Sequence, residues 1–243
     1  MSKIIRIKPD YKKKYKGKVA IIFDQIPAFL SKHEKRVILS KTNKYDRINR
    51  YYDTFYWLED SRICNICFKC NDPDISLILN EERRFLKCYM NDTGLLLTHA
   101  FSANNKLKMA IYSDILNDKL DINKGMLYEN IIAQMLVANN YKLYFYTHYN
   151  PIMGRNDIEV DFIITNGDKS NLKIFPIEVK STKKYKYKSL QRFNAKFKKR
   201  IGQSYIIHPK NYCITNDNVI CIPPYMTFCL RQNDQDSLND FYG

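Results

Sequence analysis

Four residues in the second half of this 243-residue chain have the types and spacing needed to hydrolyse a phosphodiester: Glu129, Asp161, Glu178 and Lys180. Asn166-Gly167 is a turn signal between two apolar runs, one ending at Ile164 and one starting at Lys173. A loop centred near residues 169–170 makes these runs an antiparallel pair with Asp161 opposite Glu178. Two carboxylates side by side repel unless a cation lies between them. Glu178 and Lys180 are two apart on one strand and share a face, while Ile177 and Val179 turn to the core. Glu129 is surrounded at i±3 and i±4 by Gly125, Met126, Ile132 and Ala133, so its carboxylate sits on the apolar face of a helix. Such a charge needs a cation or a hydrogen-bond network.

The chemistry that follows is metal-assisted hydrolysis. Asp161 and Glu178 are expected to hold Mg²⁺, or Mn²⁺, through hard oxygen ligands, with Glu129 binding a metal-coordinated water or a second ion. Lys180 would help deprotonate the attacking water or stabilise charge building on the phosphate. Each residue alone also has an ordinary reading. Glu-x-Lys on a strand is often a surface ion pair, Asp161 could simply start a strand, and Glu129 could pair with a core Arg or Lys.

Charge points to the substrate. The chain has 40 Lys and Arg against 25 acids, a net +15, and the excess is clustered. Residues 180–200 hold ten basic residues and no acid, and residues 1–18 hold eight with one acid, Asp10. Clustered cations gain affinity for a phosphate backbone by releasing its counterions, although a solvated surface can look the same. Lys183, Lys184, Lys186, Lys188, Arg192, Lys196, Lys199 and Arg200, beside the acidic set, are therefore the expected nucleic-acid contacts, with DNA the expected polymer.

The elements that must position these groups read as follows. A helix covers about 124–139. Strands lie near 142–146, 160–164 and 173–180, a basic helix spans about 189–201, and later strands lie near 204–207 and 219–222. This α-β-β-β-α-β order predicts an α/β (α+β) mixed sheet flanked by helices. Upstream, Val19–Leu30 reads as a short apolar helix interrupted or ended near Pro27. Ile48, Tyr51, Tyr52, Phe55 and Leu58 make an amphipathic stripe. Residues 63–68 and 85–90 are β-rich runs, and helices followed by such a ribbon describe a winged-helix-like module. Polar residues thicken over 103–122, which sets the expected domains at 1–110 and 111–243. The stripe helix offers only Lys44, Arg47 and Arg50 near its start for reading a groove.

Glu on a first helix, Asp at a strand start and Glu-x-Lys on the next strand resemble the PD-(D/E)xK nuclease-like superfamily, although no Pro precedes Asp161. More closely, the chain resembles the C-terminal portion of a bacterial and archaeal family of AAA-type ATPases, in which a winged helix and a nuclease-like domain of unknown function follow the motor. The resemblance rests on IFDQIPAFLSK (22–32), YDTFYWLEDSRICN (52–65), KCYMNDTGLL (87–96), GMLYENIIAQML (125–136), EVDFII (159–164), PIEVKS (176–181) and IPPYMTFCL (222–230). It implies a restriction-endonuclease-like domain over 111–243, an endonuclease or exonuclease activity, and an ATPase motor domain or subunit as a partner in trans. No G-x-x-x-x-G-K-[ST] loop occurs, so no ATPase activity is expected, and the chain reads as a fragment, a split gene product or a truncated relative.

Other readings carry less. Seven cysteines are an odd number in a chain too large for a disulfide-stapled miniprotein. With no signal peptide and no apolar run of membrane-spanning length, a reduced, cytoplasmic protein without a membrane is expected. Cys64, Cys67 and Cys70, with Cys88 nearby, are expected to be core fillers before zinc ligands, because on a strand Cys67 faces away from the other two. His33, His99, His148 and His208 show no ligand-like spacing and no paired nucleophile. Two function classes remain, a metal-dependent nuclease and a non-catalytic DNA-binding or regulatory tail, alongside a truncated gene remnant.

Overall fold

Buried apolar residues at three- and four-residue spacing define the helices of the N-terminal part. The computed structural model describes residues 9–32, 36–37, 51–100, 124–166 and 173–230. The chain forms two compact units, residues 1–66 with 87–120 and residues 67–86 with 121–243.

In the first unit, α1 (Pro9–Leu30) buries Ile22, Ile26, Phe29 and Leu30 against α2 (Tyr52–Asp60) and α3 (Thr93–Ala100), where Phe55, Leu58 and Leu96 are also buried. The expected short helix from Val19 is thus longer at its N-terminus and passes through Pro27. Proline has no N–H, so the Phe23 carbonyl four residues earlier loses its helical donor. His99 replaces it: its Nε2 lies 3.1 Å from that carbonyl, and its ring packs 4.4 Å from the Phe23 ring. A carbonyl only accepts, so His99 carries its proton on Nε2.

The amphipathic stripe is present over its described part, with Tyr51, Phe55 and Leu58 buried. Ile48, Lys44, Arg47 and Arg50, like the 103–122 boundary, lie outside the described residues. Helix α2 ends with Arg62 at φ 58°, while Ile63 N–H bonds the Leu58 carbonyl and Arg62 N–H bonds that of Glu59. This is a Schellman stop with arginine where glycine is usual.

The described strands form one eight-stranded mixed sheet in the order β2-β1-β3-β4-β5-β6-β8-β7. They are β1 (Cys64–Cys70), β2 (Glu81–Met90), β3 (Leu143–Asn150), β4 (Arg155–Asn166), β5 (Lys173–Val179), β6 (Tyr205–Ile207), β7 (Cys213–Ile214) and β8 (Ile220–Ile222). Helices α4 (Lys124–Ala138) and α5 (Lys188–Lys196) complete the expected α-β-β-β-α-β order. The ribbon is where the structure departs from expectation. β1 runs parallel to β3, pairing Cys67 with Leu143 and Phe68 with Tyr144, so residues 67–86 belong to the second unit. The expected division into 1–110 and 111–243 is crossed by this segment, and the ribbon does not stand apart as the wing of an N-terminal module.

Three local devices fix the second unit. Asn140 takes φ 66°, and Tyr141 N–H bonds the Leu136 carbonyl, turning the chain from α4 directly into β3. Asn139 Nδ2 reaches the carbonyls of Thr227, Phe228 and Leu230 at 2.9–3.3 Å, tying the final 3₁₀ turn (Pro224–Cys229) to α4. Ser189 Oγ accepts from Glu159 N–H and donates to the Glu159 carbonyl at 2.8 Å, which seats the start of α5 on β4.

His99→Leu removes the donor to the part-buried Phe23 carbonyl, and urea denaturation should show a loss of about 1 kcal/mol, the net worth of one hydrogen bond. In a Pro27→Ala background the helix supplies its own N–H, so the same substitution should lose distinctly less. Equal losses in the two backgrounds would disprove the substitution of His99 for the missing donor.

Candidate active site

Register brings the carboxylates together. Phe162 pairs with Ile177 and Ile163 with Pro176, so one step further the same register sets Asp161 opposite Glu178. The turn residues 167–172 lie outside the described set, yet the register is that of a loop centred near 169–170. At Asp161 the side chain takes over from the ladder: its Oδ2 accepts the Val179 N–H at 2.8 Å. Lys180 lies just beyond β5, donates its N–H to the Ile207 carbonyl at 2.8 Å, and reaches back with Nζ to Glu178 Oε1 at 2.6 Å.

All three carboxylates are buried, with Glu129 4 %, Asp161 8 % and Glu178 6 % exposed. Met126, Ile132 and Ala133 around Glu129 are buried as well, as the helical spacing predicts. Tyr146 pairs with Val160 and meets the rings of Phe193 on α5 and Phe197 just beyond it edge-on at 5.2 and 5.4 Å. Side chains alternate along a strand, so Asp161 faces away from α5. Helix α4 packs on β5 and β3, and Glu129 is among the charges that act on Lys180.

Electrostatics make this an acid-heavy pocket. Burial, followed by repulsion from Asp161, pushes the Glu178 carboxyl up to about 8, with Lys180 offsetting part of the effect. Burial opposes the charge on Lys180, but Glu178, Asp161 and Glu129 together hold its pKa above the ordinary lysine value. Lys180 is therefore a fixed ammonium. Glu178 Oε2 is buried without a hydrogen-bond partner. A buried, unpartnered carboxyl oxygen beside a second carboxylate fits a hard divalent cation, since Mg²⁺ takes one or two carboxylates and fills its octahedron with water. The three carboxylates do not gather their oxygens within 4.8 Å of one another.

The basic residues separate into two sets. Lys183, Lys184, Lys186 and Lys188 are exposed on the segment leaving Lys180 and at the first turn of α5, and Lys199 is exposed beyond it. Arg192 Nη1 bonds the Asp157 carbonyl at 3.0 Å, and Lys196 Nζ bonds Tyr146 Oη at 2.8 Å. Arg200 is half-buried, paired with Asp72 and with the Pro73 carbonyl. The body of α5 packs on the sheet face opposite Asp161, so the lysines nearest the acidic set along the chain are 183, 184 and 186.

Residues 124–227 match the model of a domain of unknown function (DUF4143). Glu129, Asp161, Glu178, Lys180 and all eight basic residues fall inside the match. It agrees with the resemblance at the level of a domain of unknown function. No curated protein and no solved structure matches the chain. Among the described residues no helix is long and apolar enough to cross a membrane.

One constellation was missed by sequence reasoning. His208, Cys213 and Cys221 place their ligand atoms within 4.8 Å of one another. The spacings H-x₄-C and C-x₇-C match no familiar zinc pattern, so only the β7–β8 pairing reveals them. Cys64, Cys67, Cys70 and Cys88 are buried free thiols, as expected of core fillers.

In metal-free protein the raised Glu178 pKa has a definite sign. Between its ordinary 4.5 and about 8 the folded chain keeps a proton that the unfolded chain releases. Stability should therefore fall as pH rises through this window, and Glu178→Gln should flatten the fall in melting-temperature scans recorded in chelator. An unchanged slope in the variant would remove Glu178 as its cause.

Proposed function

We propose that residues 124–227 form a metal-dependent nuclease module that hydrolyses phosphodiesters in DNA. The observation that carries this reading is the buried Asp161–Glu178 pair, with one Glu178 oxygen unpartnered and the Lys180 ammonium against the other. Asp161 and Glu178 would hold the divalent ion, and Glu129 would orient water beside it. The ion, Mg²⁺ or Mn²⁺, supplies Lewis acidity at the scissile phosphate. Val179 N–H fixes the Asp161 carboxylate so that it need not reorganise during reaction. Lys180, kept protonated by three carboxylates, stabilises the negative charge that grows on the phosphate and is a poor proton acceptor. Lys183, Lys184 and Lys186 hold the backbone beside the site.

Purified protein incubated with plasmid or single-stranded DNA should cleave only with Mg²⁺ or Mn²⁺. Asp161→Ala should reduce the rate to background, and Lys180→Ala should lower it by about a hundredfold or more, both without weakening binding. Tight, salt-sensitive binding with no cleavage, unchanged in both variants, would refute the enzyme and leave a DNA-binding tail.

Replacing Lys183, Lys184 and Lys186 together by Ala should flatten the plot of log K against log salt by roughly 0.9 for each lost phosphate contact on duplex DNA. An unaltered slope would move the binding surface elsewhere.

A further inference from the structure

Three short segments at the far end of the sheet converge on a second group of ligands. β6 ends at Ile207, and His208 follows with its backbone N–H bonded to the Ile222 carbonyl at 3.0 Å. β7 runs antiparallel to β8 with Cys213 paired to Cys221. His208 and Cys221 are 1 % exposed, whereas Cys213 lies at the surface. We propose that His208, Cys213 and Cys221 form a site for a zinc-class divalent cation that clips β7 to the sheet.

The tautomer of His208 supports this independently of proximity. Its Nε2 lies 3.1 Å from the Asn211 carbonyl, which can only accept, so Nε2 carries the proton and Nδ1 presents a lone pair. That lone pair is met by the Tyr185 hydroxyl, whose Oη is 2.6 Å from Nδ1 and 3.9 Å from Cys221 Sγ. An imidazole that gives one N–H to a backbone carbonyl, with its ring beside two thiols, has the second-shell arrangement of metal-bound histidine.

A tetrahedral zinc ion with bonds of about 2.3 Å to sulfur and 2.0 Å to nitrogen spaces its ligand atoms by about 3.5–3.8 Å. The three atoms, all within 4.8 Å of one another, need to close by about 1.3 Å at most. Tyr185 Oη, now donating to Nδ1, is displaced from that lone pair on binding, and water completes the shell. Both cysteines bind as thiolates, so each ion taken up releases two thiol protons to solvent. Sulfur and imidazole select this ion over the Mg²⁺ that suits the carboxylate pair, so the two sites are separable by metal.

The β7 strand explains what the cation would do. With two exposed residues it has too little pairing and burial to hold an edge by itself. Bonds to Cys213 would fasten it to Cys221 on β8 and to His208 beyond β6.

Fully reduced protein titrated with Co²⁺ should develop a thiolate-to-cobalt charge-transfer band together with tetrahedral d–d absorption. The signal should saturate at one ion per chain and be abolished by Zn²⁺. Cys213→Ser, at an exposed position, should keep the wild-type circular dichroism and lose the band, while Cys229→Ser should retain it. Zn²⁺ should raise the melting temperature of wild type and not of Cys213→Ser. The proposal falls if reduced wild type gives no thiolate band, or if Cys213→Ser keeps it, which would assign binding to other thiols. Mass spectrometry showing Cys213 and Cys221 joined as a disulfide that, once reduced, binds no ion would equally overturn it.

Discussion

Asp161 and Glu178 face one another across two central strands, both nearly excluded from solvent, and one ammonium cannot neutralise them. Carboxylates so placed either share a proton or hold a cation. Much of the second unit can be understood as the means of tolerating that repulsion. Asp161 accepts a main-chain N–H that would otherwise belong to the ladder, and Glu178 receives Lys180 on one oxygen. Helix α4 contributes a third carboxylate from its otherwise apolar side. A protein selected for stability alone has little reason to bury three acids beside one lysine, since a well-packed apolar set of similar volume is often as stable or more so. The arrangement is therefore better explained by what it can bind.

The surrounding architecture keeps these groups in register without strain in the strands. Pro176 would disrupt a regular central strand, because it cannot donate to a neighbour. Ile174 directs both its N–H and its carbonyl to residues 200–202, and by alternation the Pro176 nitrogen faces the same side. The ladder with β6 resumes only at Ile177, so the missing donor falls in an existing gap. The Asn140 turn and the Ser189 clamp then fix where α4 and α5 meet the sheet. The geometry of the carboxylate pair thus rests on a handful of polar contacts at element ends, while the apolar interior supplies bulk stability.

Much of the acidic set was legible in the sequence because it depends on short-range periodicity. The placement of Glu129 follows from helical spacing, the Asp161–Glu178 register from two apolar runs around one turn, and the Glu178–Lys180 pairing from strand alternation. What was not legible depends on partners distant in sequence. Pro27 looked like a helix stop because nothing local announces that His99 will supply the missing bond. Arg200 looked available because its counter-ion, Asp72, lies in a different part of the chain. The β1–β2 ribbon suggested a wing because pairing of Cys67 with Leu143 leaves no local mark. The two-residue β7 is too short to show a period, and with it the cysteines that approach His208 went unseen.

The parallel pairing of β1 with β3 also bears on how the chain can be made and cut. Residues 124–227 contain β3 to β8 but neither β1 nor β2. A polypeptide trimmed to those limits would leave β3 as an open edge carrying Leu143, Tyr144, Phe145 and Tyr146, all buried in the complete sheet. Bare apolar edges template intermolecular association. During synthesis β1 leaves the ribosome long before β3 exists, so the edge of β1 away from β2 must wait for a distant partner, a slow and non-local closure. The sheet is therefore wider than residues 124–227, and its first strands are encoded upstream of them.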